Sequence, residues 1–161
     1  MMSSEFSPEV YKELLRRYPT GVTVVSAFKD GKEFGATMNS FTTVSMNPPL
    51  IAVFIMEGSK TLNAIESTGK FVVSLLSGDQ ENAARGFAED AKEEKFRSFP
   101  HLVTEEGVPY LQESIGRLEC SLYTSSKIAD HRMIVGEVKH CYVHNQNSSM
   151  IYYRRVFGST Q

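Results

Sequence analysis

The segment "EFGATMNSFTTVSMNPPL", residues 33–50, places many short hydrogen-bonding side chains between two apolar stretches. Its hydroxyl and amide groups include those of Thr37, Asn39, Ser40, Thr42, Thr43 and Ser45. Each of these groups could donate a hydrogen bond to a phosphate or to the edge of a heterocycle. Successive backbone amides in turns also form concavities that bind anions. Ser and Thr are equally common at ordinary sheet edges and turns, so an anion site and a polar edge both stay open.

Ser59-Lys60-Thr61 is a second candidate for an anion site, because it stands at a predicted helix start. Amides of the first helical turn and the helix dipole favour an anion there. Lys60 adds a full positive charge. The alternative is a plain helix capped by Ser59.

The histidines do not form an obvious catalytic or metal site. His131 follows "KIAD" at the entrance to a predicted strand, where it could be a functional group or could simply pair with Asp130. His140 and His144 would share one face of a strand, but zinc needs two further ligands and Cys141 points to the other face. Nucleophile motifs and paired acid–base carboxylates are not evident. A polar cradle without such groups indicates a protein that holds a reactive cofactor.

Composition restricts the class of protein further. A chain of 161 residues fits one domain. A net charge of −2 with 22% charged residues makes nucleic acid and anionic membrane poor partners. Cys120 and Cys141 match no disulfide or metal pattern, so we expect reduced thiols in a cytoplasmic protein. No segment reads as a signal peptide, and no apolar run approaches the roughly 20 residues of a membrane span.

The elements that position these residues are mainly strands. Helices are predicted after Ser7-Pro8, over "SKTLNAIEST" with Ser59 as cap, and over "SGDQENAARGFAED" with Ser77 or Asp79 as cap. Strands are predicted over "GVTVVSAF", "EFGATM", "LIAVFIM", "KFVVSLL", "RLECSLYTSS", "HRMIVGEVKHCYVH" and "SMIYYRRVF", with Asp30-Gly31 as a hairpin turn. Residues 91–112 have no clear pattern. Short turns and few crossover helices favour a mostly β fold in which an antiparallel sheet closes on itself.

The order of these motifs resembles the flavin reductases that serve as small components of two-component flavin monooxygenases. The resemblance runs from "RRYPTGVTVVSA" to "MIYYRRVFG" and includes "GATMNSFTTVSMNPPL", "GSKTLNAI", "FVVSLLSGDQ", "GFAED", "GVPYL", "LEC" and "ADHRMIVGEV". Any one motif is weak evidence for this family, but the presence of all of them in the same order is specific. The resemblance implies an antiparallel split β-barrel of the FMN-binding type, mostly β with helices. It also implies a single domain over residues 1–161 and a homodimer with flavin near the subunit interface.

The reaction that the resemblance implies is hydride transfer from NADH or NADPH to FMN or FAD. The reduced flavin can then leave for a partner monooxygenase. Two alternatives remain at this stage. One is a non-catalytic electron carrier of flavoredoxin type that retains FMN, and the other is a structural domain that has lost the flavin site.

The resemblance assigns flavin-binding roles to three segments. Thr37, Asn39 and Ser40 would bond the phosphate or ribityl chain, and Phe41, Val44 and Ser45 would follow the ring edge. Ser59, Lys60 and Thr61 would complete the phosphate site. Ala88, Lys95 and Phe96 lie, with Phe87, where the family closes over the flavin. Met38 is included beside the phosphate site, where a small residue is common.

The nicotinamide side of the implied site rests on His131, Tyr153 and Arg154. His131 would orient the nicotinamide or support it electrostatically, since direct hydride transfer needs no proton relay. Two departures from the family pattern stand nearby. Ala129 replaces the glycine before Asp130-His131, and the last strand has Arg155 and Phe157 where many members carry glycine and tyrosine. Arg155 would favour the additional phosphate of NADPH.

Overall fold

The fold, seen in a computed structural model that describes residues 5–89 and 94–161, consists mainly of strands. Its helices are α1 (Pro8–Arg16), α2 (Lys60–Thr68) and α3 (Glu81–Ala88), with a 3-10 helix at Lys95–Ser98. Its strands are β1 (Thr20–Gly21), β2 (Thr23–Lys29), β3 (Lys32–Met38), β4 (Thr42–Met46), β5 (Pro49–Met56), β6 (Lys70–Leu75), β7 (His101–Val103), β8 (Pro109–Leu111), β9 (Gly116–Ile128), β10 (His131–Val143), β11 (Met150–Tyr153) and β12 (Val156–Ser159).

The strands form one large antiparallel sheet and two small ones. The seven-stranded sheet has the order β3-β2-β6-β9-β10-β5-β4. Strands β1, β11 and β12 form a three-stranded sheet, and β7 pairs with β8. Every strand pair is antiparallel. This confirms the prediction of a mostly β, antiparallel fold with helices between strands.

The large sheet is strongly curved, because its two edge strands are consecutive in the chain. β3 ends at Met38 and β4 begins at Thr42. Four Cα steps span at most about 14 Å. Six strand spacings across a flat sheet would separate the two edges by about 29 Å. The edges must therefore approach each other where the chain passes from β3 to β4.

Two hydrophobic cores lie on opposite faces of this sheet. The first core is lined by Val25, Val53, Phe71 and Ile134 and is filled by Leu62 and Ile65 of α2. The prediction that Leu62 and Ile65 face inward is confirmed. The second core combines Val24 and Leu76 with Phe87 of α3, Phe96 and Met150. It holds α3, the 3-10 helix and the small three-stranded sheet against β2.

Most predicted boundaries that rest on local signals are confirmed. Ser7 caps α1 and accepts from Val10 N at 3.4 Å. Ser59 caps α2, which ends at Gly69 with φ 70°. The turn between β2 and β3 is Asp30-Gly31, with φ values of 51° and 74°.

Two predictions about helix and strand ends are wrong. The N-cap position of α3 is Gln80, whose Oε1 accepts from Ser77 N at 2.9 Å, while the Ser77 hydroxyl bonds to Asp79. "SMIYYRRVF" is a hairpin, β11 and β12, rather than one strand. Arg154 and Arg155 form its turn with φ values of 50° and 64°, and arginine gives no turn signal.

Helix α1 differs from the other two helices because none of its residues is buried. Its apolar stripe contains Val10, Tyr11, Leu14 and Leu15, which are between 51% and 60% exposed. In the part of the chain that the structure describes, no helix has the length and apolar character to cross a membrane.

Candidate functional site

A cleft of about 760 Å³ lies between the β2–β3 hairpin, the start of α2 and the 3-10 helix. It is lined by Phe28, residues 31–35, residues 56–61, Glu94, Lys95 and Arg97. Lys29 Nζ donates to Asn63 Oδ1 at 2.9 Å, which ties the hairpin to α2. The cleft thus contains the predicted Ser59, Lys60, Thr61 and Lys95, although these residues are far apart in sequence.

The start of α2 is the polar end of this cleft. Ser59 adopts an extended backbone, and its Oγ accepts from Leu62 N at 3.4 Å. The first amides of a helix have no carbonyl acceptor within the helix and carry the positive end of its dipole. Lys60 is exposed, and Thr61 is buried with 4% of its surface exposed. This end of the cleft can therefore accept an anion.

Basic side chains outnumber acidic ones around the cleft, and the acidic ones have basic neighbours. Lys32, Lys60, Lys95 and Arg97 line it together with Glu33, Glu57 and Glu94. Glu33 contacts His101 Nε2 at 3.1 Å, and Glu57 contacts Arg132 at 3.5 Å. Glu94 pairs with Arg97 at 2.8 Å. The local charge favours an anionic ligand, although the whole chain carries −2.

Lys95 and Gly35 join the 3-10 helix to the wall of the cleft. Lys95 Nζ donates to the carbonyls of Gly35 at 3.1 Å and Phe87 at 3.2 Å. A Cβ on Gly35 would lie 2.8 Å from the Phe87 ring and 3.0 Å from the Phe96 ring. Glycine is required here because two aromatic rings pack directly against the β3 backbone.

The hydroxyl groups of residues 37–45 bond mainly within the protein. Thr37 Oγ1 donates to Ala84 O at 2.6 Å. Ser40 Oγ donates to Phe54 O at 2.9 Å and accepts from Phe54 N at 3.1 Å. Ser45 Oγ accepts from Asn47 N at 3.3 Å. None of these residues lines the cleft, so their direct bonds to flavin stay a prediction.

The other predicted flavin-binding residues outside the cleft differ in exposure. Met38 and Phe41 pack in or against the first core. Phe96 is 1% exposed, and its ring contacts that of Phe87 with centroids 4.7 Å apart. Asn39, Val44 and Ala88 are exposed. The structure does not bring these six side chains into the cleft, and their roles also stay predictions.

His131 lies beside a residue of the cleft lining but does not line the cleft itself. It is the register partner of Met56, which lines the cleft, so the two side chains lie on the same face of the sheet. His131 Nδ1 is 2.8 Å from Asp130 Oδ1. The hydrogen bond from His131, followed by its charge, lowers the pKa of Asp130 below its ordinary value. Through its pairing with Met56, His131 lies close to the loop that precedes α2.

Tyr153 is the last residue of β11 and Arg154 the first residue of the turn to β12, and neither lines the cleft. Arg154 N donates to Arg16 O at 3.0 Å, so this turn packs against the last residue of α1. The Arg154 guanidinium lies 5.3 Å from the centre of the Tyr153 ring. The structure does not place these two residues in the cleft lining with Lys60, and their nicotinamide contact stays a prediction.

Three residues of the cleft lining are not predicted from the sequence. Lys32 and Phe34 follow the predicted hairpin turn, and Arg97 lies in the segment that was left unassigned. The Asp-Gly signal located the hairpin itself but carried no information about which helix it faces. That placement depends on the strand order of the sheet, which is a non-local property.

Comparisons with known proteins show the family of this chain. Residues 15–161 match the family described as flavin reductase like domain. A flavin reductase of Pseudomonas putida is 33% identical over 159 residues, which cover 98% of this chain and 93% of that protein. The reductase component of 4-hydroxyphenylacetate 3-monooxygenase from Thermus thermophilus is 34% identical over 147 residues, covering 91% of this chain and 93% of that protein.

A solved structure extends the similarity to three dimensions. The NADH:FAD oxidoreductase of Streptomyces globisporus C-1027, in complex with NAD and FAD fragments, superposes with a TM-score of 0.89 at 28% identity. The superposition covers 99% of this chain and 98% of that one. Because the family match spans nearly the whole chain, this protein belongs to the family of flavin reductase-like domains.

Proposed function

We propose that this protein is an NAD(P)H:flavin oxidoreductase that reduces FMN or FAD and supplies the reduced flavin to a partner monooxygenase. The observation that carries the proposal is the cleft in which Ser59, Lys60 and Thr61 meet the loop paired with His131. Family membership gives this cleft a ligand class, namely flavin and nicotinamide nucleotides. The relatives with these activities are a flavin reductase and a monooxygenase reductase component.

The residues of the cleft fit a flavin phosphate at the start of α2. A capped helix start, Lys60 and the nearby Lys32 supply donors and positive charge. Phe28, Phe34 and Met56 supply apolar surface along the same cleft, which suits the planar part of such a ligand. The reaction is a direct hydride transfer, in which the nicotinamide is oxidised and the flavin is reduced. The protein contributes mainly binding and relative orientation.

His131 is proposed to orient the nicotinamide. Its Nδ1 is engaged with Asp130 at 2.8 Å, which fixes the ring beside Met56. A side chain in this role needs no proton transfer. Tyr153 and Arg154 are proposed to approach the nicotinamide nucleotide from the β11–β12 turn. Arg155, with its charge in the same turn, is the candidate contact for the additional phosphate of NADPH.

The residues of the hydroxyl segment and of the closing segment complete the proposed flavin site. Residues 37–45 would follow the ribityl chain and ring edge, using backbone groups where their hydroxyls already bond within the chain. Ala88, Lys95 and Phe96 would close over the flavin. Lys95 supports this role most directly, because it lines the cleft.

We further propose that residues 1–161 form a single domain whose curved sheet is a split β-barrel. The support is the three-residue connection between its edge strands. A cytoplasmic location is proposed from the two free cysteines, Cys120 and Cys141. Burial raises the pKa of Cys120 to about 12, so this thiol is poorly reactive.

A homodimer is proposed because α1 exposes a contiguous apolar stripe. Val10, Tyr11, Leu14 and Leu15 form this stripe, and each of them is more than half exposed. A second copy of this chain is the proposed occupant. Sedimentation should give a dimer mass for the wild type and a smaller mass for Leu14→Glu, whereas a monomeric wild type would reject the dimer.

Steady-state consumption of NADH and NADPH with added FMN, FAD or riboflavin tests the main proposal. Turnover that saturates with free flavin is expected. The second candidate function is an electron carrier of flavoredoxin type, which is favoured if the protein retains FMN tightly. Tightly bound flavin with no turnover on either nicotinamide would reject the reductase and support the carrier.

A further inference from the structure

Arg132 of β10 connects four elements of the fold through its side-chain contacts. Its Nε lies 2.7 Å from Glu66 Oε1 on α2 and donates to Ser125 Oγ on β9 at 3.0 Å. Its Nη1 lies 3.5 Å from Glu57 Oε1, in the loop between β5 and α2. Ser125 Oγ also donates to Glu66 Oε1 at 2.6 Å. The guanidinium of a single β10 residue thus contacts β9, α2 and the preceding loop.

The loop that Arg132 contacts belongs to the cleft. Glu57 and Gly58 line the cleft immediately before Ser59 and Lys60. The backbone of this loop is already joined to the β9–β10 turn, because Glu57 N donates to Asp130 O at 3.0 Å. His131 lies between Asp130 and Arg132. The two ends of the proposed site, His131 and the start of α2, are therefore linked through Arg132 and its neighbours.

We propose that Arg132 is a positioning residue that fixes the start of α2 relative to His131. It touches no reacting group and acts through Glu57 and Glu66. Because it pairs with both carboxylates, its removal would leave two like charges in adjacent parts of α2 and its loop. Their repulsion would shift the helix start and with it the phosphate-binding end. The proposal rests on the proposed function, since it concerns the flavin and nicotinamide ends of that site.

A comparison of FMN with riboflavin distinguishes a positioning role of Arg132 from a role in general stability. FMN carries a phosphate, which the proposed function assigns to the start of α2, whereas riboflavin has none. A shift of the helix start should therefore weaken the binding of FMN more than the binding of riboflavin. A loss of general stability would impair both substrates equally.

The test compares wild type, Arg132→Gln and Arg132→Lys with NADH and either FMN or riboflavin. Arg132→Gln is expected to raise the KM for FMN about tenfold and to change the KM for riboflavin less than about twofold, because misplacement affects only the phosphate end. Arg132→Lys keeps one positive charge between Glu57 and Glu66 and should restore part of the FMN affinity.

Two controls keep the result interpretable. Glu119→Gln removes a comparable ion pair, Arg117 Nε to Glu119 Oε1 at 2.9 Å, outside the cleft lining, and should leave the FMN-to-riboflavin ratio unchanged. Glu66→Gln weakens the contact between Arg132 and α2 and serves as a milder variant if Arg132→Gln does not fold. It creates no repulsion between carboxylates, so the loss of this one contact should shift the FMN-to-riboflavin ratio in the same direction by a smaller factor.

The outcomes distinguish this inference from the proposed function. Wild-type protein without turnover on any flavin would overturn the proposed function. An active wild type whose Arg132→Gln variant loses FMN and riboflavin turnover equally would overturn the positioning role alone. A selective loss with FMN, partly restored by lysine, would establish it.

Discussion

The start of α2 and the segment of residues 37–45 are both rich in hydroxyl groups, but only the start of α2 lines the cleft. At α2, the Ser59 hydroxyl caps the helix by accepting from Leu62 N, and the residues of the first turn, including Lys60, line the cleft. In residues 37–45, Thr37 and Ser40 bond to backbone carbonyls of neighbouring elements. The start of α2 has polar groups that line the cleft, whereas Thr37 and Ser40 bond to other elements of the fold.

The difference follows from where each region stands in the fold. A helix start has unsatisfied amides by geometry, so its ligand-binding capacity is local. The chain between β3 and β4 must cross from one sheet edge to the other, and its backbone needs partners along the way. Ser40 meets this need by bonding both the carbonyl and the amide of Phe54. In both regions a serine hydroxyl bonds to backbone of the chain, and the two regions differ because only the start of α2 has first-turn amides without a carbonyl acceptor in the helix.

The largest effect is expected at Lys60, which tests whether the start of α2 binds a phosphate. Lys60→Ala is expected to raise the Kd for FMN about 10- to 100-fold, because a hydrogen bond to a charged group contributes about 1.5 to 3 kcal/mol. Riboflavin affinity should change little, since it lacks the phosphate. Fluorescence titration with both flavins measures the effect, and Lys127→Ala, an exposed lysine of β9, is the matched control. Equal weakening of FMN and riboflavin would contradict a phosphate site at α2.

Ser40 tests whether the hydroxyl groups of residues 37–45 stabilise the fold. Ser40→Ala should lower the free energy of unfolding by about 1 to 3 kcal/mol, because the amide and carbonyl of Phe54 both lose a partner. Urea denaturation measures the change. Thr42→Ala is the control, since its exposed hydroxyl makes only a local bond to Thr43 O. A Ser40 variant of wild-type stability with weakened flavin binding would show that Ser40 belongs to the ligand after all.

The elements of the fold that could be predicted from sequence are those with local causes. The cap at Ser59, the stop at Gly69 and the Asp30-Gly31 turn each depend on one or two residues and were placed correctly. The bonds of Ser40 depend on the pairing of β4 with β5, and the position of Lys32 beside α2 depends on the strand order. The turn at Arg154 and Arg155 was missed because arginine rarely adopts positive φ.

His131 sharpens the comparison because it lies next to the α2 loop but is proposed to serve the nicotinamide. His131→Ala should lower kcat with NADH about tenfold, the equivalent of one net hydrogen bond in the transition state. The Kd for FMN should change much less. Stopped-flow measurement of flavin reduction separates the two quantities, and Asp130→Asn is the control that keeps the imidazole. Equal losses in kcat and flavin affinity would make His131 a structural residue.

The smallest expected effect concerns the turn that presents His131. Ala129 stands where the resemblance places glycine, and its φ is 51°. Ala129→Gly should raise the free energy of unfolding by about 0.5 to 1 kcal/mol, because the relief of left-handed strain exceeds the entropy that glycine adds to the unfolded chain. Ser67→Gly, at an exposed position inside α2, should have the opposite sign. Thermal unfolding of both variants decides this. If Ala129→Gly also lowers the KM for NADH, the alanine restrains His131 in a less favourable position. If only stability changes, the turn acts on the fold alone, and the flavin and nicotinamide ends depend on α2 and on His131 itself.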